Sequence, residues 1–141
     1  MLYLLSKIIL IVGLFAHAEE PLRCEKGQIR SVTSGKTTIT DVTYCYDKET
    51  KSQLFSPNCR SKKCVAFDYP EELQFKDFIG PTGSPGFKVC RKVGGIPQIV
   101  EFKVSEKWYK LDQCIFQDGS FVNSDFLAHY YFHLKKLEPL Q

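Results

Sequence analysis

The spacing of apolar positions changes along the chain. Phe87, Cys90 and Val93 recur every third residue, the spacing of one helix face. Ser84 stands ahead of them as an N-cap whose hydroxyl can accept a first-turn N–H. Pro85 suits the first helical position and Gly94 a left-handed close. A short helix is predicted over 84–93, too brief to persist unless it packs on something. The period then changes to that of strands. Residues 96–104 are rich in Ile, Val and Phe, with Pro97 at the entry unable to donate to a ladder. Ser105-Glu106-Lys107 is a polar turn, and 108–116 reads as a second strand. Its alternation puts Trp108, Lys110, Asp112 and Cys114 on one side, and Tyr109, Leu111, Gln113 and Ile115 on the other. Asp118-Gly119 predicts a tight hairpin turn with positive φ at both central positions, and 120–122 a short third strand. Ser124 or Asn123 caps a last helix over 125–134. Asp125 lies at its positive end, and Lys135 and Lys136 at its negative end.

The N-terminal half is more polar. Residues 21–47 read as a long hairpin turning at Ser34-Gly35. With a two-residue loop Thr33 faces Lys36. By the same register Cys24 faces Cys45 as a non-hydrogen-bonded pair, whose closer side chains suit a bridge. Residues 48–50 turn the chain, 51–56 return as a third strand, and 65–69 form another short one. Between them Cys59 and Cys64 close a small basic loop carrying Arg60, Lys62 and Lys63. Gly80-Pro81-Thr82-Gly83 reads as a linker. The predicted fold is α+β. An N-terminal antiparallel β-meander (19–79) joins a C-terminal helix–β-hairpin–helix module (84–137), both stapled by disulfides.

Composition narrows the setting. Residues 1–18 have the form of an export signal: Lys7, an apolar run over 8–15, then Ala16-His17-Ala18 as a cleavage site. The apolar run is too short for a good membrane span, and none is expected after cleavage. Losing this segment takes away Lys7 and no acid, so the formal charge of +3 becomes +2. So balanced a chain does not point to nucleic acid. All six cysteines follow the signal, and an even count in a short exported chain implies a disulfide framework. With Cys24–Cys45 and Cys59–Cys64 assigned, Cys90 is left to Cys114. On the chain-entropy model the 90–114 bridge contributes about 3 kcal/mol and the 59–64 loop about 2 kcal/mol. The tail, Glu138-Pro139-Leu140-Gln141, is expected to fray.

Ser84-Pro85-Gly86, Cys90 and Gly94-Gly95, followed by Cys114-x-Phe116-x-Asp118-Gly119-Ser120 and an apolar helix, form a pattern spanning about 45 residues. It resembles domain of unknown function 333, a small bacterial family that carries a hemolysin label. Family members often have a further cysteine soon after the Asp-Gly turn, where this chain has Phe121-Val122-Asn123-Ser124. They also tend to place Trp in the last helix, where this chain has Phe126. The resemblance implies a small exported module, periplasmic or secreted.

Candidate chemistry is sparse. His129 and His133 stand one helical turn apart, a spacing that can chelate zinc or copper. A hydrolytic site would want a third ligand and a base, and no Glu follows His129. Two surface histidines is the simpler reading. Zinc at the four N-terminal cysteines is disfavoured by spacings unlike paired knuckles. A cysteine nucleophile needs an unpaired thiol, which an even count disfavours. Arg60, Lys62 and Lys63 offer a binding loop for an anionic partner. Trp108, Tyr109, Tyr130, Tyr131 and Phe132 are better read as core than as a surface patch. The expected function is therefore a non-enzymatic binding or inhibitory module with no cofactor, directed at a protein or envelope component. A membrane-damaging toxin and a small metal-dependent enzyme are the alternatives.

Overall fold

A computed structural model describes residues 22–138. The segment expected to be an export signal and residues 139–141 of the tail lie outside the described residues. β1 (Arg23–Thr33) and β2 (Lys36–Tyr46) form the long hairpin, turning at Ser34 and Gly35 with φ of 52° and 75°. Their register pairs Thr33 with Lys36 and Cys24 with Cys45, as the two-residue loop requires. β3 (Leu54–Phe55) is short, because the Asp47 carboxylate accepts the N–H groups of Thr50 and Gln53 and holds the preceding residues in a loop. α1 (Pro85–Lys92) begins where Ser84 Oγ accepts the Phe87 N–H at 3.2 Å. β4 (Ile96–Val104) and β5 (Lys107–Ile115) form a second hairpin, followed by β6 (Phe121–Asn123). α2 (Ser124–His129) continues through a π turn (Tyr130–Leu134) and a 3-10 turn (Lys135–Leu137).

The strands do not form a meander beside a separate hairpin. They close into one antiparallel barrel in the order β1-β2-β3-β6-β5-β4, and β4 returns to pair with β1. Strands from both sides of the Gly80–Gly83 segment share it. β3 joins the halves, pairing through Cys45–Phe55 on one edge and Phe55–Val122 on the other.

Alternation explains why the barrel and helices make two cores. Tyr44, Tyr46, Leu54 and Phe121 point into the barrel with Ile29, Val100 and Phe102. Their strand neighbours Cys45, Phe55 and Val122 point out, under α1 and α2, and pack with Val89, Cys90 and Leu127. The second core is tied covalently. Cys24–Cys45, Cys59–Cys64 and Cys90–Cys114 are all bridged, the last fastening α1 to β5.

Two local expectations are corrected. Val65–Phe67 is a 3-10 turn, not a strand. The turn makes its own bonds, Phe67 N–H to Cys64 O at 3.1 Å and Asp68 N–H to Val65 O at 3.2 Å, and the Tyr131 hydroxyl donates to Ala66 O at 2.7 Å and accepts from the following Tyr69 N–H at 3.2 Å. At Asp118-Gly119 only the glycine has positive φ, 87°. Asp118 instead caps the turn, its carboxylate accepting from Ser120 N–H at 3.0 Å and Ser120 Oγ at 2.6 Å.

Candidate functional site

The barrel closes where β1 meets β4, and that seam is short. Only Ile29, Arg30 and Ser31 pair with Phe102, Glu101 and Val100, although both strands run further. On one side of these pairs the seam is plugged. The Tyr44 ring is fully buried and its hydroxyl donates to Lys103 O. Gly27 leaves room for it: a Cβ there would lie 2.1 Å from the Tyr44 hydroxyl oxygen. Burial, and next the charge of Glu25, raises the Tyr44 pKa, so the hydroxyl keeps its proton. Tyr46, Phe102 and Tyr109 fill the space around it, with ring centroids 5.7–6.1 Å apart.

The middle of the seam is latched from outside. Arg30 grips Glu101 with two hydrogen bonds, at 3.0 and 3.3 Å, and lies 4.0 Å over the Trp108 ring. The hydrogen bonds from Arg30 hold the Glu101 carboxyl below its ordinary range.

On the far side the seam opens. Lys103 presents its carbonyl to the β1 side, so by alternation Glu101, Ile99 and Pro97 turn their main chains the same way. Pro97 has no N–H to offer there, which disfavours further zippering. β1 for its part runs into the Ser34-Gly35 turn two residues beyond Val32. Behind the opening is a cavity of about 220 Å³ lined by Ile29, Val42, Val100, Ile115 and Phe121, with Gln98 and Gln113 among its polar walls. Val32, Ile39 and Ile99 alternate with the cavity-lining residues and so lie on the outer wall, beside Arg30 and Glu101; with Ile96 they are 52–66% exposed. They make up four of the eight large apolar side chains exposed among the described residues.

The residues singled out from sequence lie elsewhere. His129 and His133 are exposed, with ring centroids 5.1 Å apart. No group of three His, Cys, Asp or Glu is placed to hold a metal among the described residues. Arg60, Lys62 and Lys63 are exposed on their loop. Two of their charges are turned onto the protein: Arg60 Nη1 sits 3.8 Å from Cys24 Sγ and Lys62 Nζ 5.7 Å from the Tyr130 ring. All six cysteines are in bridges, and none is left as a nucleophile. Tyr130, Tyr131 and Phe132 are core, as expected, whereas Trp108 stacks on the outer face. The open seam was missed. Its available signals were Pro97 inside a strand and Gln113 on an otherwise apolar strand face.

Comparison of the chain with known protein families, curated proteins and solved structures finds no match. No helix among the described residues is long and apolar enough to cross a membrane.

Proposed function

We propose that the protein is an exported, non-enzymatic binding module that meets a protein or envelope component through an apolar patch on the outer wall of its barrel, beside the β1–β4 seam. The observation that carries this is the exposure of Val32, Ile39 and Ile99 side by side on the outer wall around Arg30, on a scaffold cross-linked three times. An apolar cluster that remains exposed marks an interaction surface, and rigidity lowers the ordering cost of using it. Three disulfides fit an oxidising compartment, periplasmic or extracellular. The resemblance of the C-terminal part to a family of small exported modules points the same way. A pull-down from envelope extract tests the reading. The wild-type protein is expected to retain a partner that the double variant Val32→Asp, Ile99→Asp loses, while a Lys62→Ala, Lys63→Ala variant keeps it. Retention by the Val32/Ile99 variant, or dye release from liposomes at sub-micromolar protein, contradicts it.

A further inference from the structure

The three bridges are not equally placed. Cys45, Cys59, Cys64, Cys90 and Cys114 are 0–4% exposed, whereas Cys24 is exposed at the start of β1. A thiol in solution therefore meets the Cys24–Cys45 bridge first, and meets it at Cys24. The strand around it is lightly held. Residues 23–28 of β1 pair with β2 alone, because β4 joins β1 only at Ile29, Arg30 and Ser31. The bridge can thus open while the barrel stays closed.

A cation stands at the exposed sulfur. Arg60 belongs to the loop closed by Cys59–Cys64, and its Nη1 lies 3.8 Å from Cys24 Sγ in a solvent-exposed contact. Arg60 is in none of the ion pairs among the described residues, so its charge is not spent on a carboxylate. The sulfur contact at Cys59 differs on both counts: it is buried, and it comes from a neutral hydroxyl, Ser56 Oγ at 3.2 Å. Exchange at a disulfide begins with attack by a thiolate and passes through a mixed disulfide. A guanidinium at the attacked sulfur draws the anion in and stabilises a thiolate formed there.

We infer that Cys24–Cys45 is a thiol–disulfide exchange site that takes up an anionic thiol on Cys24, with Arg60 as its positioning residue. The incoming thiolate bonds to Cys24 Sγ, the bond to Cys45 breaks, and its electron pair leaves on Cys45 Sγ, which takes a proton from water. Cys45 is packed among Phe55, Val122 and other apolar side chains, where a thiol keeps its proton and attacks slowly. The mixed disulfide on Cys24 is therefore not quickly reversed. A second thiolate attacks the sulfur of the first, forms a disulfide with it, and releases Cys24 as a thiolate beside Arg60. Two thiols are oxidised to one disulfide as the bridge is reduced to two. Cys59–Cys64 and Cys90–Cys114 are untouched, and the site is independent of what meets the outer wall.

The test exposes the folded protein to glutathione, an anionic thiol, and to 2-mercaptoethanol, a neutral one, at low ionic strength. Reactions are stopped by alkylation, and peptide mass spectrometry assigns the state of each cysteine. The expected first product carries glutathione on Cys24 and a free thiol at Cys45, with the other two bridges intact. The rate with glutathione relative to 2-mercaptoethanol should fall at least about threefold in Arg60→Gln. Lys36→Gln removes the same charge at the far end of the hairpin and should leave that ratio unchanged. The inference is overturned if another bridge opens first, if all three open together, if glutathione is found on Cys45 in place of Cys24, or if Arg60→Gln shifts the ratio no more than Lys36→Gln.

Discussion

The two ends of the β1–β4 seam are built from the same pair of strands and do opposite things. At one end Gly27 gives up its side chain so that the Tyr44 ring can pass and its hydroxyl can tie to Lys103, within a cluster of four aromatic rings. At the other end, Pro97 withholds a donor, β1 turns away, and neutral amides face a cavity. The first end is packed shut and the second is left unpaired. The lesson is that barrel closure need not be uniform. A three-residue ladder latched by Arg30 and Glu101 is enough when one flank is packed by aromatics.

Substitutions at the plugged end should be expensive, and those at the open end cheap or favourable. The largest expected effect is Tyr44→Ala, which removes a fully buried ring and should lower unfolding free energy by about 3–5 kcal/mol in urea titrations. Gly27→Ala comes next. Its new Cβ would meet the Tyr44 ring at 2.1–2.8 Å, and the resulting overpacking should cost about 1–3 kcal/mol. Tyr44→Phe keeps the ring and loses the bond to Lys103, so about 1 kcal/mol is expected. At the open end the sign reverses: Gln113→Leu removes an unpaired buried acceptor and should raise stability by about 1 kcal/mol. A loss there comparable with that of Gly27→Ala would erase the contrast.

The smallest effect concerns pH. Asp118 closes the β5–β6 turn, and Gly119 beside it lines the cavity. Hydrogen bonds from the Ser120 hydroxyl, and next from its N–H, hold the Asp118 carboxyl below its ordinary range. Because the folded pKa is depressed, its contribution is present above the unfolded pKa and is lost as pH falls through the folded one. The urea midpoint should therefore fall on acidification below the normal carboxylate range, and less so in Asp118→Asn.

Legibility in the sequence followed distance along the chain. Cys24 opposite Cys45 could be counted out from the Ser34-Gly35 turn because hairpin register is local. The Ser84 cap and its proline marked the start of α1 for the same reason. Closure was not legible. Arg30 and Glu101 lie 71 residues apart, and no turn chemistry announces their pairing. Two hairpins that looked like separate modules therefore proved to be halves of one barrel. Gln113 could be grouped with Tyr109, Leu111 and Ile115 from alternation alone. That its carbonyl would lack a donor depends on where Asn123, Ser52 and Leu54 come to rest, which only the closed barrel decides. The histidine pair and the basic loop drew notice because their residue types carry chemistry, yet each lies on the surface away from the cavity.

Native-state hydrogen exchange, resolved by residue, measures the difference between the two ends most directly. The main chains of Arg30 and Val32 face the same seam, one inside the paired stretch and the other beyond it. The Arg30 amide should exchange only through global unfolding, and Val32 at least about 100-fold faster through local opening. Equal protection at the two positions would mean that the seam is zipped to its turn, with no open end.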